Sequence, residues 1–474
     1  MAEPQNKESL VLFRASRDVE LRGRPLQLTR FAVAFELYGA ADELRLSESL
    51  RCFRIMVRGR TLYAGRAVVR SLVETGPALV CEAALDETAW RDLEFTAAMA
   101  WDGRLSEQFG FFLEEWQKAY LVRPEYKVII ADMQTFFADL RLWLQQVELG
   151  IRAEPEADRA QLELAAAEAV AARTVPCVNT LFEQFESFAG SLPSESLPAH
   201  RSYMRRQLHP LVLCSPFAHR TFYKPLGYAG DYEMVNMILR NGWEGDSIFA
   251  KVINTWFLRQ PPAQAHRNRI AYLTDRLQDE SLRVRRAGRL ARIFNLACGP
   301  AHEVQRFIND SALSESAAFT LLDFNDETLR YVQTILDTIK TRTGRRTPVT
   351  YIHKSVNQLL KESVRPARQS TQETYDFVYC AGLFDYLSDQ VCRRLMDLMY
   401  AWLEPGGLLV ATNVEPANPL RNGMEHLLDW HLIYRTGPEL AQLRPREAAP
   451  DQVRSFADAT GANVFLEVRK LPHG

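Results

Sequence analysis

From residue 288 onward, short apolar runs and amphipathic stretches take turns, and that alternation restricts this part of the chain to a mostly parallel α/β sheet. ARIFNLACG is β-rich and ends in a turn, and AHEVQRFIND follows it as a helix with Glu303 in the first turn. FTLLDF, TPVTYIHKSV, YDFVYCAGLF and GGLLVATNV read as further strands, with DETLRYVQTILDTIKT as a crossover helix. In such sheets ligands sit beyond the carboxyl ends of the strands.

The first turn of this region is Ala297-Cys298-Gly299-Pro300. It places backbone N–H groups and a helix N-terminus at the sheet edge. Asp323 closes the second strand, near the roughly 20-residue spacing at which a carboxylate accepts ribose hydroxyls. A dinucleotide needs a glycine-rich turn so that backbone reaches its pyrophosphate. Only Gly299 meets that pattern, and Pro300 has no N–H to donate. S-adenosylmethionine has no phosphate and needs one close approach beside its amino-acid arm, plus the ribose acid, so the departure from the glycine fingerprint favours it. A Rossmann-like domain that binds no cofactor is the plain alternative.

Later segments carry a family likeness. Tyr375-Asp376-Phe377-Val378-Tyr379-Cys380-Ala381 resembles strand four of class I S-adenosylmethionine-dependent methyltransferases, and Leu403-Glu404-Pro405-Gly406-Gly407-Leu408 resembles the turn before their strand five. The likeness covers about 290 to 474. It implies a cofactor site made of Ala297, Cys298, Gly299, Pro300, Asp323, Phe324, Asn325, Ser355, Val356, Asn357, Cys380, Ala381, Gly382 and Tyr386. Three blocks, TFYKPLGYAGDYEMVNM, YCAGLFDYLSD and TNVEPANPLRNGMEHLLDWHLIYRT, are similar to the bacterial 3-hydroxypalmitic acid methyl ester biosynthesis group. That group implies methylation of a hydroxy fatty acid at its carboxylate.

A carboxylate acceptor is already a nucleophile at neutral pH and needs an orienting cation rather than a base. Lys224, with His219 and Arg220, is the candidate, and Tyr223, Tyr228 and Tyr232 would shape the pocket. A hydroxyl or amine acceptor would need a base, for which Asp231, Glu415, His426 and Asp385 are candidates. Each has a duller role. Asp231 would cap a helix, His426 would face solvent, and Lys224 would neutralise a carboxylate. Cys298 and Cys380 read as soft buried fillers. A non-catalytic ligand sensor is the competing class.

Before residue 100, strands such as FAVAFEL, RCFRIMVRG, RTLYAGRAVVRSLV and ALVCEAAL are separated by turn residues, as in a small antiparallel barrel. WRDLEFTAAMAWDGRLSEQFGFFLEEWQKA then turns helical. Arg14-Ala-Ser-Arg17 faintly resembles the arginine motif of PilZ domains, which bind cyclic di-GMP, but its arginines stand one residue closer and no second motif follows. The likeness supports a barrel, not nucleotide binding. The expected fold is multidomain α+β and α/β: a PilZ-like β-barrel at 1–120, a helical linker at 121–199 that offers a homodimer seam, a helical substrate cap at 200–287, and a Rossmann-like class I methyltransferase domain at 288–474.

Bulk properties narrow the partners. Charged residues make up 24% of the chain, yet the formal net charge is only -2, which gives no global field toward nucleic acid or an anionic membrane. The seven cysteines form no CxxC pair, so no metal site is expected. A dispersed thiol set, a leader without an apolar core and the lack of a long apolar run fit a cytoplasmic protein without a membrane span.

Overall fold

The computed structural model describes residues 9–15, 20–38, 44–57, 60–74, 78–86, 89–90, 106, 110, 121–363 and 373–472. The helix expected over 90–119 lies almost wholly outside them, as does Arg17.

Six strands come first: β1 (Leu10–Arg14), β2 (Glu20–Leu28), β3 (Ala32–Tyr38), β4 (Ser49–Val57), β5 (Arg60–Glu74) and β6 (Ala78–Leu85). They close into a barrel of order β1-β2-β3-β6-β5-β4. Closure leaves no free edge. Alternation places Phe13, Phe35, Phe53 and Tyr63 inside, where the Phe13 and Phe35 rings meet edge to face at 5.4 Å.

The helices that follow are α1 (Pro124–Arg152), α2 (Glu156–Ala189), α3 (Leu197–Val212), α4 (Pro216–Tyr223), α5 (Tyr232–Arg240), α6 (Ile248–Leu258) and α7 (Pro261–Arg286). Pro124 starts α1 where a missing N–H costs nothing. Tyr126, Ile130, Met133 and Phe137 form its buried stripe, at the three- and four-residue steps of an amphipathic helix. Ala167, Ala171, Thr174 and Val178 do the same on α2.

The remaining elements are β7 (Ala291–Leu296), α8 (His302–Asp310), β8 (Ala317–Asp323), α9 (Asp326–Thr343), β9 (Val349–His353), α10 (Val356–Ser363), β10 (Tyr375–Cys380), α11 (Asp389–Ala401), β11 (Leu403–Val414), α12 (Arg421–Leu427), α13 (Gly437–Ala441), β12 (Val453–Ala457) and β13 (Asn463–Arg469). The strands form a seven-stranded sheet of order β12-β13-β11-β10-β7-β8-β9. β7 to β11 run parallel to one another, and β13 runs antiparallel to both β11 and β12. All of β10 is buried, as expected of a strand covered on both faces. Pro405-Gly406-Gly407, read as a turn before the strand, lies inside β11 as a bulge. Tyr375 pairs with Leu403 and Phe377 with Leu408, so β11 takes in extra residues there.

The chain divides into two compact units. The first holds 1–229, 242–257 and 420–431; the second holds 230–241, 258–419 and 432–474. The block at 200–287 is shared between them rather than standing as one module. Among the described residues no helix is long and apolar enough to cross a membrane, and no cluster of side chains suits a metal ion.

Candidate cofactor-binding site

Strand order reverses between β7 and β10, which is where an open α/β sheet forms its crevice. Register fixes what surrounds it. Leu296 pairs with Cys380 on one side and with Leu322 on the other, so the segments that leave β7, β8 and β10 emerge side by side. Gly299, Asp323 and Gly382 therefore ring the same crevice.

The turn after β7 has an unusual backbone. Ala297, Gly299 and Ala301 all have positive φ, at 57°, 52° and 50°. This is the alternating left-handed path that three glycines would follow without strain, here carried by Ala-x-Gly-x-Ala. Each left-handed alanine costs roughly 1–2 kcal/mol. Such strain persists where function holds it. The sequence keeps one glycine of the three, and the conformation keeps all three positions.

The donors of this turn are spent within the protein. Cys298 N–H donates to the Leu322 carbonyl at 3.0 Å, Gly299 N–H to Asp323 Oδ2 at 3.1 Å, and Ala301 N–H to the Cys298 carbonyl at 3.0 Å. Pro300 has none. From Cys298 to Ala301, then, no amide is left for a phosphate. Glu303, in the first turn of α8, has a buried carboxyl. A Cβ on Gly299 would meet nothing within 4 Å, so space stands open in front of it.

Asp323 is 4% exposed and also accepts the Asn325 N–H at Oδ1, 2.9 Å. Asn325 caps α9 by accepting from Thr328 N–H at 3.0 Å, and Phe324 stands half-buried between the two. Ser355 is buried and caps α10 through Gln358, Val356 is buried beside it, and Asn357 is half-buried. Cys380, the last residue of β10, is buried, and Ala381, Gly382 and Tyr386 after it are half-buried.

Sequence reading missed the polar residues beneath the crevice. Asn295 Nδ2 donates to Glu303 Oε1 and to Tyr379 Oη, both at 3.0 Å, and Tyr379 O–H donates to Glu303 Oε1 at 2.8 Å. Burial pushes the Glu303 carboxyl up from its ordinary value. Arg269, from α7, is 8% exposed, and its guanidinium makes no hydrogen bond or ion pair among the described residues. Its Nη1 lies 3.1 Å from where a Cβ on Gly382 would stand, so glycine there, at φ 94°, is what lets the cation reach the loop after β10. Burial lowers its pKa, with Asp385 and Glu303 as the opposing charges. Asp385, from the same loop, accepts Val414 N–H at 2.7 Å, and burial raises its carboxyl to about 7. An arginine inside a long polar helix carries no local motif, which is why only contact with Gly382 reveals it.

The candidate acceptor-side residues are dispersed. Lys224, Tyr228 and His426 belong to the first unit; Asp231 and Glu415 belong to the second. Lys224 is buried and donates from Nζ to the Asp429 carbonyl at 2.8 Å, beside the Asp429 carboxylate that balances its charge. Tyr228 is half-buried. His426 is buried rather than solvent-facing, with Nδ1 3.0 Å from the Tyr126 hydroxyl, and burial lowers its pKa. Asp231 caps α5, accepting Met234 N–H at 2.9 Å. Glu415 accepts Ala417 N–H at 2.8 Å at the end of β11.

No family model matches the chain, and no curated protein matches it. Solved structures show distant likenesses. One is a possible exported protein from Bordetella parapertussis, at 16% identity, covering 64% of this chain and 97% of that one, with a TM-score of 0.41. Another is the N-methyltransferase NodS from Bradyrhizobium japonicum WM9 with S-adenosyl-L-homocysteine, at 16% identity, 50% and 97% coverage and a TM-score of 0.30. A third is magnesium protoporphyrin IX methyltransferase from Synechocystis PCC 6803 with the same ligand, at 9% identity, 50% and 93% coverage and a TM-score of 0.32. What the crevice can hold follows from its own geometry.

Proposed function

We propose that the chain is an S-adenosylmethionine-dependent methyltransferase of the class I type. One observation carries this: a nucleotide-type crevice whose turn has no amide left for phosphate between Cys298 and Ala301. A dinucleotide needs those donors. The reversed strand β13 beside β11 also departs from the parallel second half of a dinucleotide sheet.

The residues present fit a ligand with ribose, adenine and an amino-acid arm. Asp323 would accept the ribose hydroxyls, Gly299 would permit the close approach, and the unpaired guanidinium of Arg269 would hold the arm's carboxylate. Phe324, Ser355, Val356 and Asn357 would line the adenine side. When bound, S-adenosylmethionine supplies a methyl group on a sulfonium, open to in-line attack. The protein's part is alignment and exclusion of water.

The acceptor we propose is a small acid, with the carboxylate of a 3-hydroxy fatty acid the first to try. Support comes from the resemblance of the blocks around Lys224 and Asp385 to the methyl ester group. Incubation with methyl-labelled cofactor and 3-hydroxy acids of graded chain length tests it. A labelled ester is expected, at a rate that does not titrate above the acid's own pKa. If no chain length gives a labelled ester, the acceptor is wrong. A rate that rises through a side-chain pKa points instead to a hydroxyl or amine acceptor and a base such as Asp231 or Glu415.

A further inference from the structure

In the first unit, β5 and α3 each carry two arginines four positions apart: Arg66 and Arg70 on the strand, Arg201 and Arg205 on the helix. Residues i and i+4 share a face of a helix, and on β5 Arg70 is the extra residue of a bulge between Val69 and Ser71. Arg66 and Arg205 both serve Asp429: Arg66 Nη1 lies 3.6 Å from Oδ2, and Arg205 Nη2 lies 2.8 Å from Oδ1. Arg201 pairs with Glu425 at 2.5 Å. His431 stands between the two acids, with Nε2 3.1 Å from Asp429 Oδ1 and Nδ1 3.8 Å from Glu425 Oε2.

Arg70 has no such partner. Its Nε is buried without a hydrogen bond, and it makes no ion pair among the described residues. After burial itself, the largest influence on its guanidinium is the repulsion of Arg201, followed by Asp429, Arg205 and Glu82. Glu82 takes a hydrogen bond from Ser71. Arg201 Nε and Arg66 Nε are also buried without partners. Among the described residues, Arg66, Arg201 and Arg205 thus have only Asp429 and Glu425 at ion-pair distance, Lys224 meets the Asp429 backbone carbonyl, and Arg70 has no acid within that distance, so the shortage falls at the Arg70–Arg201 corner. Leaving cations buried together without an anion is costly.

We infer that Arg70 and Arg201 form a binding site for a small phosphate-class oxyanion. Two guanidinium forks, one on a strand and one on a helix, ask for an acceptor with oxygens in more than one plane. A tetrahedral phosphoryl group offers that, while a flat carboxylate matches one fork. A second negative charge also answers the excess of cations better than a single one.

Thermal unfolding and calorimetry of the full chain with inorganic phosphate, against chloride at equal ionic strength, test this. Phosphate should raise Tm in the wild type. Arg70→Gln should leave Tm in chloride unchanged or higher, because Arg70 holds nothing in place, and should weaken phosphate binding about tenfold or more. Arg14→Gln, on β1, should keep the wild-type response. No difference between phosphate and chloride would overturn the site, as would an undiminished response in Arg70→Gln or an Arg70→Gln protein that does not fold. A response to acetate but not phosphate would overturn the phosphate class.

Discussion

The amide of Gly299 donates to the carboxylate of Asp323 at 3.1 Å, tying the turn after the first strand of the sheet to the end of the second. This bond orients the acid toward the crevice and leaves the space in front of Gly299 open. Gly299→Ala separates the two roles. The new Cβ meets no protein atom within 4 Å. The fold should lose only about 1–2 kcal/mol to the left-handed backbone. Affinity for S-adenosyl-L-homocysteine should fall at least about tenfold, because the methyl group fills the approach. Unaltered affinity would mean that the ligand does not pass Gly299.

Ala297 and Ala301 invite the opposite change. Both hold positive φ, so Ala297→Gly and Ala301→Gly relieve strain. Glycine's extra freedom in the unfolded chain offsets part of the gain. Each variant should be more stable by up to about 1 kcal/mol, read from denaturant midpoints. Destabilisation by both would show that the turn is not strained.

Arg269 gives a charge-specific test. Arg269→Gln should weaken S-adenosyl-L-homocysteine binding roughly tenfold or more, the scale of a charge-assisted hydrogen bond. Adenosine, which lacks the amino-acid arm, should bind wild type and variant alike. Equal losses for both ligands would make Arg269 a structural residue.

Asp385 sets a pH signature. Burial pushes its folded carboxyl up from the ordinary 3.8 to about 7, against the opposing pull of the Val414 N–H, Arg269 and Arg435. The folded state therefore binds this proton more tightly than the unfolded state. Its contribution is fully present below about pH 4 and is lost as pH rises toward 7. Asp385→Asn should flatten that part of the stability profile and be the more stable protein at pH 8, by roughly 1–3 kcal/mol. Urea midpoints across pH 4–8 check it. A variant with the wild-type slope would assign the titration elsewhere.

The sheet was legible in the sequence because strands covered on both faces read as apolar runs, such as Phe377-Val378-Tyr379-Cys380. The barrel strands were legible from their alternation, and Asp231, open in the sequence between base and helix cap, caps α5. The turn at 297–301 was half legible. Pro300 spoke against phosphate, but φ is not written in the letters Ala297 and Ala301. Arg269 was illegible because its partner segment lies far along the chain. The same holds for Lys224: only the fold brings Asp429 beside it, through a segment at 420–431 that returns to the first unit.

Calorimetry of the purified chain with S-adenosyl-L-homocysteine and, separately, with NAD tests the central claim most directly. The account predicts saturable, stoichiometric heat with S-adenosyl-L-homocysteine, none with NAD, and loss of the first signal in Asp323→Ala while the protein stays folded. Binding of NAD with comparable affinity, or S-adenosyl-L-homocysteine heat that survives Asp323→Ala, would contradict it.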